Sequence, residues 1–93
     1  MELPINYDLA SPEIRREARA QYIKNQNGRC YHCGTLLKEE PSSEVRDKVV
    51  NEMLFPIGFF NWPVHLHHSH TTGLTIGAVH SRCNAVLWQY YGE

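Results

Sequence analysis

The sequence predicts a small α+β domain stapled by a metal ion, and three observations carry that prediction. Hydrophobic periodicity is helical near the N-terminus and changes to short β-like runs after Pro63. Two ligand pairs, Cys30-x-x-Cys33 and His80-x-x-Cys83, lie on either side of that change at zinc-knuckle spacing. The chain has 93 residues, too few for two cores, so residues 1–93 read as a single domain. At this size apolar burial leaves a thin margin of stability, which a bound metal would widen.

Residues 1–10 read as an extended N-terminal arm, with Pro4 and Asp8 but no helical period. Ser11-Pro12 is an N-cap followed by proline at the first helical position, with Glu13 placed at the positive end of the helix dipole. The helix is expected from Pro12 to Asn27, with Ile14, Ala18 and Tyr22 on one face and Gly28 as its stop. Cys30-Tyr31-His32-Cys33-Gly34 follows, and the glycine suits a tight turn that points backbone amides at metal-bound sulfur. Pro41-Ser42-Ser43 caps a second helical pattern in which Val45, Val49 and Met53 share a face, with Val50 and Leu54 alongside. Phe55 to Pro63 is an aromatic connector whose Pro56, Gly58 and Pro63 oppose regular structure. A strand from Val64 to His68, a turn over His70 to Gly73, a strand from Leu74 to Val79 and a terminal helix from Asn84 to Tyr91 complete the chain.

The formal net charge is −1, so any binding of nucleic acid must rest on local positive charge. Arg15, Arg16, Arg19, Lys24 and Arg29 face only Glu13 and Glu17 between Ser11 and Arg29, and this stretch is balanced between DNA-backbone contact and an ordinary solvated face. Glu39, Glu40, Glu44, Asp47 and Glu52 read as a solvated acidic face. Three cysteines cannot all pair within the chain, and the N-terminus does not resemble a signal peptide, which together favour a reducing, cytoplasmic location. The apolar run from Leu54 to Phe60 is short and broken by Pro56 and Gly58, so no membrane partner is expected.

Cys30, Cys33, His80 and Cys83 form a Cys3His set of the kind that holds structural zinc in a tetrahedron. The competing reading is three buried free thiols beside an incidental histidine. His32 lies inside the first pair, but Cys33 is better placed by the glycine that follows it. The second constellation is His67-His68-Ser69-His70 together with Asn84. Five of the six histidines lie between His65 and His80, a density that packing explains poorly. Hydrolysing a phosphodiester needs a base for the attacking water and a cation for the developing charge. A histidine can be the first, and an amide oxygen can help to hold the second. Alternatively His65, His67, His68 and His70 are ligands of a second structural zinc, although neighbours on a strand point to opposite faces. Trp62, Trp88, Tyr90 and Tyr91 read as core or dimer interface in preference to base stacking.

Cys30-x-x-Cys33-Gly34 followed by His67-His68-Ser69-His70-Thr71-Thr72-Gly73 and His80-Ser81-Arg82-Cys83-Asn84 resembles the HNH, or His-Me finger, endonucleases, most closely the phage recombination endonuclease VII group. The similarity runs from Gln21 to about Leu87, with an insertion over 38–63. The resemblance implies a zinc-stabilised ββα-metal finger over 64–91 with an N-terminal helix and a helical insertion. It makes Cys30, Cys33, His80 and Cys83 the zinc ligands, with His80 where the group has its third cysteine. It places His68 on the general base, Asn84 and His67 on the catalytic divalent metal, and His70 on a phosphate contact or auxiliary ligand. Arg82 joins Arg15, Arg16, Arg19, Lys24 and Arg29 as a candidate DNA contact. His67 stands where the group usually has an aspartate, which softens the site toward Mn2+ or Ni2+ beside Mg2+. Ile76 replaces an arginine of the group, and Leu87 an acidic residue. The resemblance further implies a phage origin, action in the host cytoplasm, and branched or double-stranded DNA as partner, with a homodimer where two strands are cut symmetrically. A non-catalytic zinc module that binds DNA or protein is the rival reading, favoured by the near-neutral charge and by the departures at His67 and Ile76.

Overall fold

The computed structural model describes residues 1–93. Its first element, α1 (Pro12–Asn25), starts where the Ser11 hydroxyl accepts a hydrogen bond from the Ile14 amide at 3.2 Å, with Pro12 in the first turn. The face that α1 turns inward is rotated from the expected one. Ala18 is fully buried, but Ile14 is exposed, and Arg15, Arg19 and Tyr22 are the half-buried neighbours. Polar bonds to distant segments set this rotation. The Arg15 guanidinium donates to the Tyr7 carbonyl at 2.8 Å, and the Tyr22 hydroxyl meets the Thr75 hydroxyl at 2.9 Å.

The sheet is a single antiparallel pair, β1 (Val64–His68) and β2 (Thr75–His80), with His65 opposite Val79 and His67 opposite Gly77. Between His67 and His68 the register shifts, leaving Ile76 without a partner, and a bulge of this kind re-aims the side chains beside it. A hairpin alone is marginal in water. Here the outer edge of β2 is paired by three unrelated segments. The arm contributes an Asn6–Leu74 bridge and a bond from the Thr75 amide to the Ile5 carbonyl at 2.9 Å. The Gln26 side chain binds the Ala78 backbone through both its amide atoms at 2.9 Å. The Tyr31 amide, from the Cys30–Cys33 turn, reaches the Ala78 carbonyl at 3.0 Å.

The last helix, α3, runs from Ser81 to Tyr91, starting directly after β2 rather than at Asn84. Its Cys83, Ala85, Val86 and Leu87 are buried, and the central cluster joins Cys30, Leu37, Val45, Ala78, Val79, Cys83 and Val86. The segment 38–63 is mostly irregular. Its α2 is only four residues, Ser43–Arg46, followed by 3-10 turns at Glu52–Leu54 and Phe59–Asn61. Of the expected helical face, Val45 is buried, while Val49 and Met53 are exposed. The helix stops because α3 takes the carbonyls that would extend it. The Arg82 guanidinium donates to the carbonyls of Val45, Arg46 and Lys48, and Gln89 and Tyr90 donate to that of Val49.

The one ion pair, Arg46 with Glu40 at 3.2 Å, is exposed and adds little. No helix is long and apolar enough to cross a membrane.

Gly77 is where the sheet and the Cys30–Cys33 turn approach most closely. A Cβ there would lie 2.9 Å from the Gln26 amide oxygen and 3.0 Å from two atoms of the Tyr31 side chain. Gly77→Ala is therefore expected to destabilise the domain by about 1–3 kcal/mol, read as a lower urea midpoint at unchanged slope. An unchanged midpoint would show that the turn yields freely.

Candidate functional site

The side chains of Cys30, Cys33, His80 and Cys83 converge, with all four donor atoms within 4.8 Å of one another. They form a group that can hold a metal ion such as zinc. The geometry fits: the His80 Nδ1 is 3.5 Å from the Cys33 sulfur and 3.6 Å from the Cys83 sulfur, and a zinc tetrahedron has S···N edges of about 3.6 Å. The histidine is also held in the required tautomer. Its Nε2 lies 3.0 Å from the Leu36 carbonyl and 2.9 Å from the Glu39 carbonyl, so the ring must donate there and leave Nδ1 free toward the sulfurs. Gly34, with φ at +82°, closes the turn that follows Cys33.

The thiols themselves call for a cation. A hydrogen bond from Cys83, helped by the backbone amides of Cys33, His80 and His32, draws the Cys30 thiol down to about 4. The same pairing, with burial, pushes Cys83 upward. Against its burial, hydrogen bonds from Thr35 and the backbone also lower the Cys33 pKa, so the thiolate of Cys83 is the one opposed by its neighbours until a metal shares the charge. The four residues come from the turn after α1, the end of β2 and the start of α3, so a single ion would tie these three elements together.

The second group surrounds a cleft of about 630 Å³ lined by Tyr7, Arg15, Arg19, His65, His68, His70 and Asn84, together with Phe55, Phe59, Trp62 and Trp88. His68 lies flat on Tyr7, ring centroids 3.9 Å apart and planes 5° from parallel, and the Arg15 guanidinium sits 3.9 Å over the same tyrosine. Two groups at that distance need opposite faces, so Arg15, Tyr7 and His68 form a three-layer stack. The His70 ring is tilted against His68 at 4.9 Å. Burial, then the neighbouring His70, lowers the His68 pKa, which favours a neutral ring able to accept a proton.

Asn84 is oriented by a chain of hydrogen bonds that leaves no choice of direction. The His65 Nε2 lies 2.9 Å from the Phe59 carbonyl, which can only accept, so that nitrogen carries the proton. Burial lowers the His65 pKa and keeps the ring neutral, so its Nδ1 is an acceptor. The Asn84 Nδ2, 3.1 Å away, must be the donor, which leaves the Asn84 Oδ1 as the end of the side chain able to accept from His67 or to bind a cation. His67, two residues along the same strand, is only 3% exposed. Burial lowers its pKa, opposed by the Asn84 side chain and by Glu93.

The expected residues divide as follows. His68, His70 and Asn84 share the cleft with Arg15 and Arg19, whereas His67 is buried and does not line it. Arg16, Lys24 and Arg29 are exposed outside the cleft, and Lys24 is about half a turn around α1 from Arg15. Arg82 is committed to the three carbonyls that end α2. The four histidines of the β1 segment supply no three-donor group like the Cys3His one, which argues against a second structural zinc. Two cleft residues were not expected there: His65, weighed only as a ligand of a second zinc, and Tyr7, not singled out at all. His65 had a signal in the density of histidines along β1. Tyr7 had none, since the arm shows no periodicity.

No family model, curated protein or solved structure matches the chain.

Purified protein is expected to carry one zinc per chain by elemental analysis, and Cys83→Ser, at a fully buried position, is expected to lose both zinc and cooperative unfolding. A Cys83→Ser protein with wild-type unfolding and no metal would mean that the thiols are ordinary core.

Proposed function

We propose that this chain is a metal-dependent DNA endonuclease of the HNH type, a ββα-metal finger held together by zinc on Cys30, Cys33, His80 and Cys83. The observation that carries the reading is His68. It is an imidazole at the end of β1, favoured in its neutral form, that faces a cleft also lined by Arg15, Arg19 and Asn84, a residue in the first turn of α3.

In this reading His68 takes the proton from a water aligned with the scissile phosphate. Tyr7 fixes the plane of its ring, and Arg15 and Arg19 attract and orient the phosphate backbone. His70, beside His68, contacts a phosphate oxygen. Asn84, presented by His65, and His67 would hold a divalent cation, Mg2+, Mn2+ or Ni2+. When bound, that ion neutralises charge building on the phosphate and on the leaving 3′ oxygen. A monomer of this kind nicks one strand, and a symmetric dimer would cut two strands of a branched substrate.

A non-catalytic zinc module remains the second reading, favoured by the burial of His67 and by the lack of another three-donor group. Metal-dependent nicking of supercoiled plasmid decides between them. His68→Ala is expected to lower the nicking rate by about 10²–10⁴-fold with zinc content and circular dichroism unchanged. Undiminished nicking by this variant would remove His68 from the mechanism, and silence of the wild type with every divalent metal would favour the binding module. His65→Ala should weaken Mn2+ binding at the exchangeable site by about 10–100-fold while the zinc stays in place, measured by titration calorimetry. Equal Mn2+ affinity would show that Asn84 needs no such support.

A further inference from the structure

The cleft lining contributed by the segment 38–63 and α3 is largely aromatic, with Phe55, Phe59, Trp62 and Trp88. Phe55 packs edge-on against Trp88 at 5.6 Å and against Phe60 at 5.7 Å, and Phe59 lies 4.8 Å from Phe55. These rings brace one another into a rigid shelf. Trp62 lines the same cleft but stands apart, 74% exposed and with no aromatic ring against it. An indole left so open costs apolar exposure that a core residue would avoid. It is not held there by packing within the fold.

We infer that Trp62 and the shelf behind it bind an unpaired DNA base by stacking, so that the segment entering the cleft is single-stranded. Charge complementarity selects this occupant. The same cleft is lined by Phe55, Trp62 and Trp88 and by Arg15 and Arg19, so it offers π-faces and cations together, the combination that grips single-stranded nucleic acid. In a duplex each base face is covered by its neighbours, and a shelf of rings has nothing to meet. A strand with an unstacked base can set that base on Trp62 while its phosphate lies between Arg19 and His68. The inference rests on the nuclease reading only in putting the scissile phosphate at His68.

The test uses full-length, zinc-loaded protein with no added divalent cation, so that binding is measured without cleavage. A labelled dT oligonucleotide of about 12 nucleotides and a duplex of equal length are titrated by fluorescence anisotropy against wild type, Trp62→Ala and Trp62→Phe. The expected result is tighter binding of the single strand, a loss of about tenfold or more for that strand alone in Trp62→Ala, and recovery in Trp62→Phe. Equal affinity of wild type and Trp62→Ala for the single strand would overturn the inference. So would a sedimentation profile showing a dimer that dissociates on Trp62→Ala, because a second copy would then be what covers the indole. Plasmid nicking separates the two proposals. Nicking retained with no Trp62 effect on single-strand binding sinks this inference alone, whereas a Trp62-dependent grip without nicking under any metal sinks the catalytic reading and leaves the binding one.

Discussion

Everything in this fold hangs from the convergence of Cys30, Cys33, His80 and Cys83. Two of the seven residues in the central cluster, Cys30 and Cys83, are themselves donors, so the metal group and the hydrophobic core are one object. A structural zinc bound there would supply roughly 10–16 kcal/mol at neutral pH, comparable to or above the roughly 5–15 kcal/mol by which whole domains are stable. No disulfide and only one exposed ion pair supplement it. The placement of the cleft follows. His80 closes β2 opposite Val64, Cys83 lies in the first turn of α3, and Asn84 is the next residue. A ligand set that fixes His80 and Cys83 therefore fixes the angle at which Asn84 meets the strand carrying His65, His67 and His68.

Around that knot, polar groups are oriented by carbonyls that can only accept. The Leu36 and Glu39 carbonyls choose the tautomer of His80, and the Phe59 carbonyl chooses that of His65. Each choice directs Nδ1 at a defined partner, the cysteine sulfurs in one case and the Asn84 amide in the other. The carbonyls fix which nitrogen donates, but the rings still titrate: burial holds His65 neutral, whereas in His80 burial is outweighed by the Leu36 carbonyl and the Cys30 thiol, which raise its pKa, so a metal at Nδ1 would compete with a proton there. His68 is arranged differently. Its ring is positioned by stacking on Tyr7, which fixes a plane without occupying the nitrogens. A base of the kind proposed for His68 gains from being held by its face, because its nitrogens stay available to a proton.

Much of this arrangement was legible in the sequence because it is local. The span Val64–His68, the N-cap at Ser11 and the two ligand pairs each depend on neighbours within a few residues, and the structure places them as expected. The errors arose where distant groups decide the outcome. The pattern of Val45, Val49 and Met53 is helical by period, yet Arg82, Gln89 and Tyr90 capture the carbonyls that would have extended α2. The inward face of α1 is set by the arm and by Thr75, so arginines turn inward where periodicity put Ile14. The partnership of His65 with Asn84 and the stack of Tyr7 on His68 are tertiary, and no local pattern encodes either.

For the proposed DNA partner, the charge balance limits how the cleft would hold a polyanion. With burial favouring neutral His65, His67 and His68, the fixed positive charge in the cleft comes from Arg15 and Arg19. Two cations release few counterions, so long-range attraction is weak and its salt dependence shallow, with a slope near −2 at most for B-DNA. A protein of net charge −1 with that little steering cannot rely on electrostatic capture of any duplex it meets. Contacts at short range must supply the rest, and the aromatic lining is the part of the cleft able to do so. Selectivity would then be set by which DNA can offer an open base rather than by how strongly its backbone is attracted.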